Sequence, residues 1–150
     1  MNTLSLNSIS LDGNIIRKGG TPNSWVGNTK EISLPYTDAK LWESCSYYNS
    51  FESAMSDIGA GQVASNCNES DAVVAVDKAR FYRLWLLKDI QTSSIINLDN
   101  IELILNGHKL SVGTPMQASA DCIINGRVKG SEIVGKTLLV QSSGLCTIVG

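Results

Sequence analysis

Residues 81–112 read FYRLWLLKDIQTSSIINLDNIELILNGHKLSV, and this stretch decides the fold. Ile101, Leu103 and Leu105 alternate with less regular positions, and the row resumes at Leu110 and Val112 after an Asn-Gly corner. A period of two is the mark of a strand with one face on a core. Further apolar runs follow at Cys122–Ile124, Ile133–Val134, Leu138–Val140 and Leu145–Val149, separated by Gly, Asn, Ser or Lys. Glycines recur at 107, 126 and 144, and Asn106-Gly107-His108-Lys109 aligns with Asn125-Gly126-Arg127-Val128, each after an aliphatic pair. Short strands at a period of about 20, with turn residues at matching places, predict a β-solenoid. One circuit cannot bury its inward row alone, whereas stacked circuits align like side chains into ladders. An ordinary sandwich or barrel is the alternative.

Upstream the pattern changes. Leu41, Cys45, Tyr48, Phe51, Met55 and Ile58 recur at steps of three and four, which places them on one helical stripe. A helix is expected within 38–58, with Thr37 or Asp38 as its cap and Gly59 or Gly61 at its end. Serines 44, 46, 50, 53 and 56 lower its propensity, so Ser50–Ile58 is the firmest part. GAGQVASNCNES, 59–70, reads as a polar loop. Residues 3–16 alternate as a strand, with Asp12-Gly13 as a hairpin turn. RKGGTPNSW, 17–25, reads as a loop, and a short strand is expected through Ile32 and Leu34.

Composition bounds the function. The 150 residues suit one domain, or one small domain with an arm. They are 43% hydrophobic and 17% charged, too apolar for disorder, and no run approaches the ~18 apolar residues of a membrane span. A net charge of −2 argues against neutralising nucleic-acid phosphates. Residues 1–75 hold eight acidic and four basic side chains; residues 76–150 hold six and eight. The chain therefore divides near residue 70, into a polar region 1–70 and a strand-rich region 71–150. The start lacks the basic and apolar segments of a secretory signal. Cys45, Cys67, Cys122 and Cys146 contain no CxxC pair and read as buried free thiols, with two disulfides as the alternative. Asn68-Glu69-Ser70 matches a glycosylation acceptor, a common tripeptide.

The stretch resembles the entry of a right-handed parallel β-helix of the pectate-lyase-like class. Leu86-Leu87-Lys88-Asp89-Ile90 and Leu103-Ile104-Leu105-Asn106-Gly107-His108-Lys109-Leu110 match that class's strand and corner pattern, and Ile123 to Gly130 looks like the next coil. SFESAMSDIGAG, 50–61, resembles the short amphipathic helix that caps such barrels. The resemblance covers about residues 50–150. It implies an all-β fold with first β-helical coils preceded by a capping helix and a polar N-terminal arm. Asn106, Gly107, Asn125 and Gly126 become structural corners, and His108 an outward-facing residue. Where the class often carries aspartate after the second leucine, this chain has Ile104. The final run, LCTIVG, is expected to leave an open strand edge, so that either more chain or other chains cover it.

Candidate chemistry is sparse. β-Helix proteins include polysaccharide lyases and hydrolases, and glycosidic hydrolysis needs two spaced carboxylates. Asp89, Asp99, Glu102, Asp121 and Glu132 are the acids of the strand region, and none sits in a catalytic motif; Asp99 and Asp121 read as corner residues. The single histidine, His108, excludes sites needing two histidines of this chain, and no GxSxG elbow is present. Gly19-Gly20 and Gly59-Ala60-Gly61 lack phosphate-loop spacing. No catalytic residue, metal or cofactor is expected. Trp25, Tyr36, Trp42, Tyr47 and Tyr48 are candidates for an interface or for stacking on glycan rings, against the alternative of a small core with Phe51.

The resulting expectation is a structural or binding component of a phage virion, an appendage or fibre subunit. Its N-terminal region attaches to the particle and its β-helix forms a stalk. Expected partners are two further copies in a trimer, other virion proteins and a host-surface polysaccharide, with no nucleic acid and no membrane span. The alternative is the leading part of a polysaccharide-active β-helix enzyme or an extracellular surface adhesin.

Overall fold

The computed structural model describes residues 2–4, 14–15, 24–26, 45–114, 116–126, 128, 130–135, 138–140 and 146–149. These residues form an all-β architecture with one α-helix and one short 3-10 turn. The elements are β1 (Asn2–Leu4), β2 (Asn14–Ile15), β3 (Ser24–Val26), β4 (Ser46–Tyr48), α1 (Phe51–Ala60), β5 (Val74–Lys78) and β6 (Tyr82–Leu86). They continue with β7 (Ile90–Thr92), β8 (Ile101–Ile104), β9 (Lys109–Val112), β10 (Met116–Ala118) and β11 (Cys122–Asn125). The last three are β12 (Glu132–Gly135), β13 (Leu138–Val140) and β14 (Cys146–Val149). The apolar runs expected as strands at 122–124, 133–134 and 138–140 are strands, and the last run forms one over Cys146–Val149.

Three sheets result, in the orders β1-β13-β10, β2-β14-β11-β8-β6-β5-β4 and β3-β12-β9-β7. We call them sheets one, two and three. From β6 onward neighbouring strands pair parallel: β6-β8-β11-β14 in sheet two, β7-β9-β12 in sheet three, β10-β13 in sheet one. From β8 the chain visits sheets two, three and one in turn, then returns to two; in the circuit before it, a single parallel bridge from Asn97 to Gln117 takes the place of a strand in sheet one. Tyr82 faces Ile101, Ile90 faces Leu110, Met116 faces Leu138 and Cys122 faces Cys146, so the circuits lengthen from 19 to 24 residues along the chain. The register stacks Leu84, Leu103 and Ile124 into one column, and all three are fully buried. Leu86, Ile96, Leu98, Leu105, Leu110 and Met116 complete that interior.

The helix is shorter than the stripe that predicts it. Ser50 caps it, its Oγ accepting the Ser53 N–H at 3.2 Å, and Gly61 in the left-handed region ends it. Cys45 and Tyr48 lie outside it, because 46–48 instead pairs antiparallel with β5, Tyr48 opposite Val74. Serines lower helix propensity here, and pairing with β5 buries Tyr48 in the core. The expected caps Thr37 and Asp38, and the strand at Ile32–Leu34, lie outside the described residues.

The start of the chain departs most from expectation. β1 and β2 belong to different sheets, so no hairpin joins them. β3 forms within the segment read as a loop. All three run antiparallel along the last strands: β1 on β13, β2 on β14, β3 on β12. The open edge expected at β14 is therefore corrected, since Ile15 and Asn14 pair with Ile148 and Val149. An edge presents unpaired N–H and C=O groups, and this pairing covers half of β14 and passes the edge to the two-residue β2.

Candidate functional site

The anticipated corner at Asn106-Gly107 is present. Both residues have positive φ (58° and 80°), and His108 N–H bonds to the Leu105 carbonyl at 2.9 Å. Asn106 donates from Nδ2 to the Leu86 carbonyl at 2.9 Å, tying its circuit to the previous one. Asn106 Oδ1 is buried without a partner. Asn125-Gly126 is not the matching corner, contrary to the alignment of the two tetrapeptides. Asn125 is the last residue of β11, opposite Ile104, and its Nδ2 donates to Glu102 Oε2 at 3.0 Å. The matching turn lies at Val128–Ser131, where Ser131 N–H bonds to the Val128 carbonyl and Gly130 has φ 92°. Ile104 to Lys109 takes five steps while their partners, Asn125 and Glu132, lie seven apart. That two-residue lengthening shifts the corner off the sequence repeat.

The acids of the strand region are dispersed, and several bind neighbouring circuits. Asp89 Oδ1 accepts the Lys109 N–H at 2.9 Å and lies 3.5 Å from His108 Nδ1. The Lys109 N–H holds the Asp89 carboxyl below its ordinary value. Asp99 Oδ1 accepts the N–H groups of Ser119 (2.6 Å) and Ala120 (2.9 Å), and Oδ2 the Ser119 hydroxyl at 2.8 Å. Burial pushes the Asp99 carboxyl up, and these donors together outweigh it, leaving the pKa below the usual range. Asp121 offers its backbone carbonyl to Asn100 N–H at 2.8 Å. Glu132 pairs across the ladder with Lys109. His108 is half-buried.

The aromatic candidates are not brought together. Trp25 lies in β3 opposite Ile133, and Tyr36 and Trp42 lie outside the described residues. Tyr47 and Tyr48 point to opposite faces of β4, as consecutive strand residues must. Tyr48 is 0% exposed, so it is no stacking surface. Its hydroxyl donates to Asp57 Oδ2 at 2.8 Å and accepts the Ala64 N–H at 2.9 Å, fixing α1 and the following loop. Burial raises the Tyr48 pKa. Tyr47 packs on a second, outer cluster of Cys45, Ala75, Trp85 and Ile104. Burial there pushes the Cys45 thiol up to about 11 and the Tyr47 phenol up to about 12. Cys45, Cys67 and Cys122 form no disulfide; Cys45 and Cys122 are buried and Cys67 is half-buried.

Two arrangements escaped the sequence reading. The first is a polar network on that outer face. Asp77, 7% exposed, pairs across the β5–β6 hairpin with Arg83, accepting from Nε at 2.9 Å and from Nη2. Asp77 also accepts the Trp85 indole N–H at 2.9 Å, and hydrogen bonding to Asp77 raises the Arg83 pKa. The available signal was the placement of Asp77 and Arg83 at equal distances from the turn at Arg80.

The second is a groove of about 580 Å³ between α1 and the segment 94–101. Phe51, Ile58, Ile96 and Ile101 form its buried floor; Glu52, Tyr82, Asn97 and Asp99 are among its polar lining. Ile95, 65% exposed, is an apolar rim residue. Glu52 anchors the helix side: its Oε1 accepts the Thr92 hydroxyl at 2.7 Å and its Oε2 the Ser50 hydroxyl at 3.3 Å. The Thr92 bond holds the Glu52 carboxyl below its ordinary value. This volume lies in the ~300–1,000 Å³ range of small-ligand sites. Among the described residues no cluster of three His, Cys, Asp or Glu is placed to hold a metal, and no helix is long and apolar enough to cross a membrane.

Comparison of the chain with protein-family models, with curated proteins and with solved structures finds no match.

Proposed function

We propose that the circuits are coils of a right-handed parallel β-helix, and that the protein is a structural and binding component of a phage virion. In this reading it is an appendage or fibre subunit, trimeric, with the N-terminal region attaching to the particle and the coils forming the stalk. The observation that carries it is the parallel register that repeats every circuit, with side chains such as Asp99 and Asn106 bonded to the backbone of an adjacent circuit. Such a fold grows along one axis by stacking, which suits a stalk. Carboxylates used in this way hold the stack together.

The test is the native mass and location of the protein. Sedimentation of the purified chain should give a trimer, and antibody labelling should place it on intact phage particles. A monomer absent from particles, and one that shortens an acidic polysaccharide, would refute the proposal in favour of a β-helix enzyme.

A further inference from the structure

We propose that the groove between α1 and the 94–101 segment is a binding site for a neutral oligosaccharide. The site goes beyond the stalk reading and does not depend on it. Its accessible apolar surface comes from Ile95 at the rim with half-buried Met55 beside it, over a packed floor that includes Phe51 and Ile101. Tyr82 adds a phenol ring; Asn97 and Asn100 add amides. Apolar and hydrogen-bonding groups so interleaved match a pyranose, whose C–H face is apolar and whose edge carries hydroxyls.

Charge selects the class of sugar. Among the described residues lining the groove are two carboxylates, Glu52 and Asp99, and no Lys, Arg or His. A uronate or sialate would bring like charge to both, which costs binding free energy. Lys78, outside the lining, directs its ammonium at the Tyr82 ring, 3.9 Å from the centroid. A cationic ligand is the other chemistry that carboxylates invite. Against it, both Glu52 oxygens and both Asp99 oxygens already accept protein donors. Their remaining lone pairs suit single hydroxyl donors better than a full ion pair.

The test is an amide-shift titration of the full chain by NMR with hexasaccharides of glucose, mannose and galactose, with a galacturonate hexamer and tetralysine alongside. At least one neutral hexamer should shift the amides of Gly59, Ser94, Ile95 and Asn97. Ile95→Glu, on an exposed side chain, should weaken that binding roughly tenfold while leaving the remaining spectrum in place. Glu52→Gln, which keeps an acceptor, should retain neutral-sugar binding. The proposal fails if no neutral hexamer shifts these amides at about 10 mM, or if the shifts map elsewhere. It fails equally if galacturonate or tetralysine binds the groove more tightly than every neutral hexamer. The oligomer and particle experiments above leave these readouts untouched, so the two proposals fail separately.

Discussion

Gly130 sits directly against Gly107 of the preceding circuit: a Cβ on Gly130 would lie 3.0 Å from the Gly107 carbonyl oxygen. Both glycines have positive φ, 92° and 80°, so the two corners stack as like on like. A side chain there would have to push the Gly107 carbonyl away by a few tenths of an ångström, and the left-handed conformation disfavours one.

Gly130→Ala should therefore destabilise the fold by about 1–3 kcal/mol, from a strained left-handed backbone and the carbonyl contact. Gly59→Ala is the control, since a Cβ there meets nothing within 4 Å and the position is helical. It should stabilise by about 0.5–1 kcal/mol. Urea unfolding followed by far-UV circular dichroism measures both, and equal effects would contradict the stacking.

Asp77→Ala should cost about 3 kcal/mol, because it leaves Arg83 and the Trp85 indole N–H without their shared acceptor in a buried setting. Trp85→Phe removes only one of those bonds and should cost about 1 kcal/mol through it, plus any loss of packing. Comparing the double variant with the sum of the singles gives the coupling. An additive result would show that Asp77 and Trp85 do not act as a unit.

Asp99 and Glu52 make stability depend on acid. Both carboxyls have depressed pKa values in the folded chain. A depressed carboxyl contributes stability that is complete above its unfolded value, near 4, and is lost as pH falls through the folded one. The gap in unfolding free energy between wild type and Asp99→Asn should be constant at neutral pH and shrink below about pH 4. Denaturant titrations at pH 7, 4 and 3 measure this, and a gap independent of pH would refute the assignment.

The thiols should separate by reactivity. Cys45 is 8% exposed with its pKa raised to about 11, so few thiolates form at pH 8. Cys122 is 1% exposed, whereas Cys67 is half-buried in the loop after α1. An aromatic disulfide reagent followed by peptide mass mapping should label Cys67 first, with Cys45 and Cys122 reacting only on unfolding. Fast labelling of Cys45 in native protein would contradict its burial.

Much of the strand pattern was legible locally. Ile101, Leu103 and Leu105 alternate because a strand presents every second residue to the core, and all three are inside. Gly61 and the apolar positions Phe51 and Ile58 marked α1 for the same kind of reason, through a glycine stop and a one-sided stripe, whereas Ser50, read as a residue that lowers helix propensity, is its cap. The same stripe misled at Cys45 and Tyr48, where pairing with β5 overrides helical spacing. The groove was invisible because Glu52, Tyr82 and Ile95 are far apart in sequence and no single window contains them.

By itself, then, the sequence determined where α1 and most of the strands after residue 72 form, and that strands recur about every 20 residues. Those are properties of neighbouring residues. Tertiary structure alone decided that Gly130, not Gly126, stacks on Gly107, that Asn14 and Ile15 pair with the last strand, and that Trp85 is buried on the outer face. Each depends on hydrogen bonds and contacts between distant segments. A loop can lengthen by two residues at little entropic cost, so circuit length drifts while the strand ladder keeps its register.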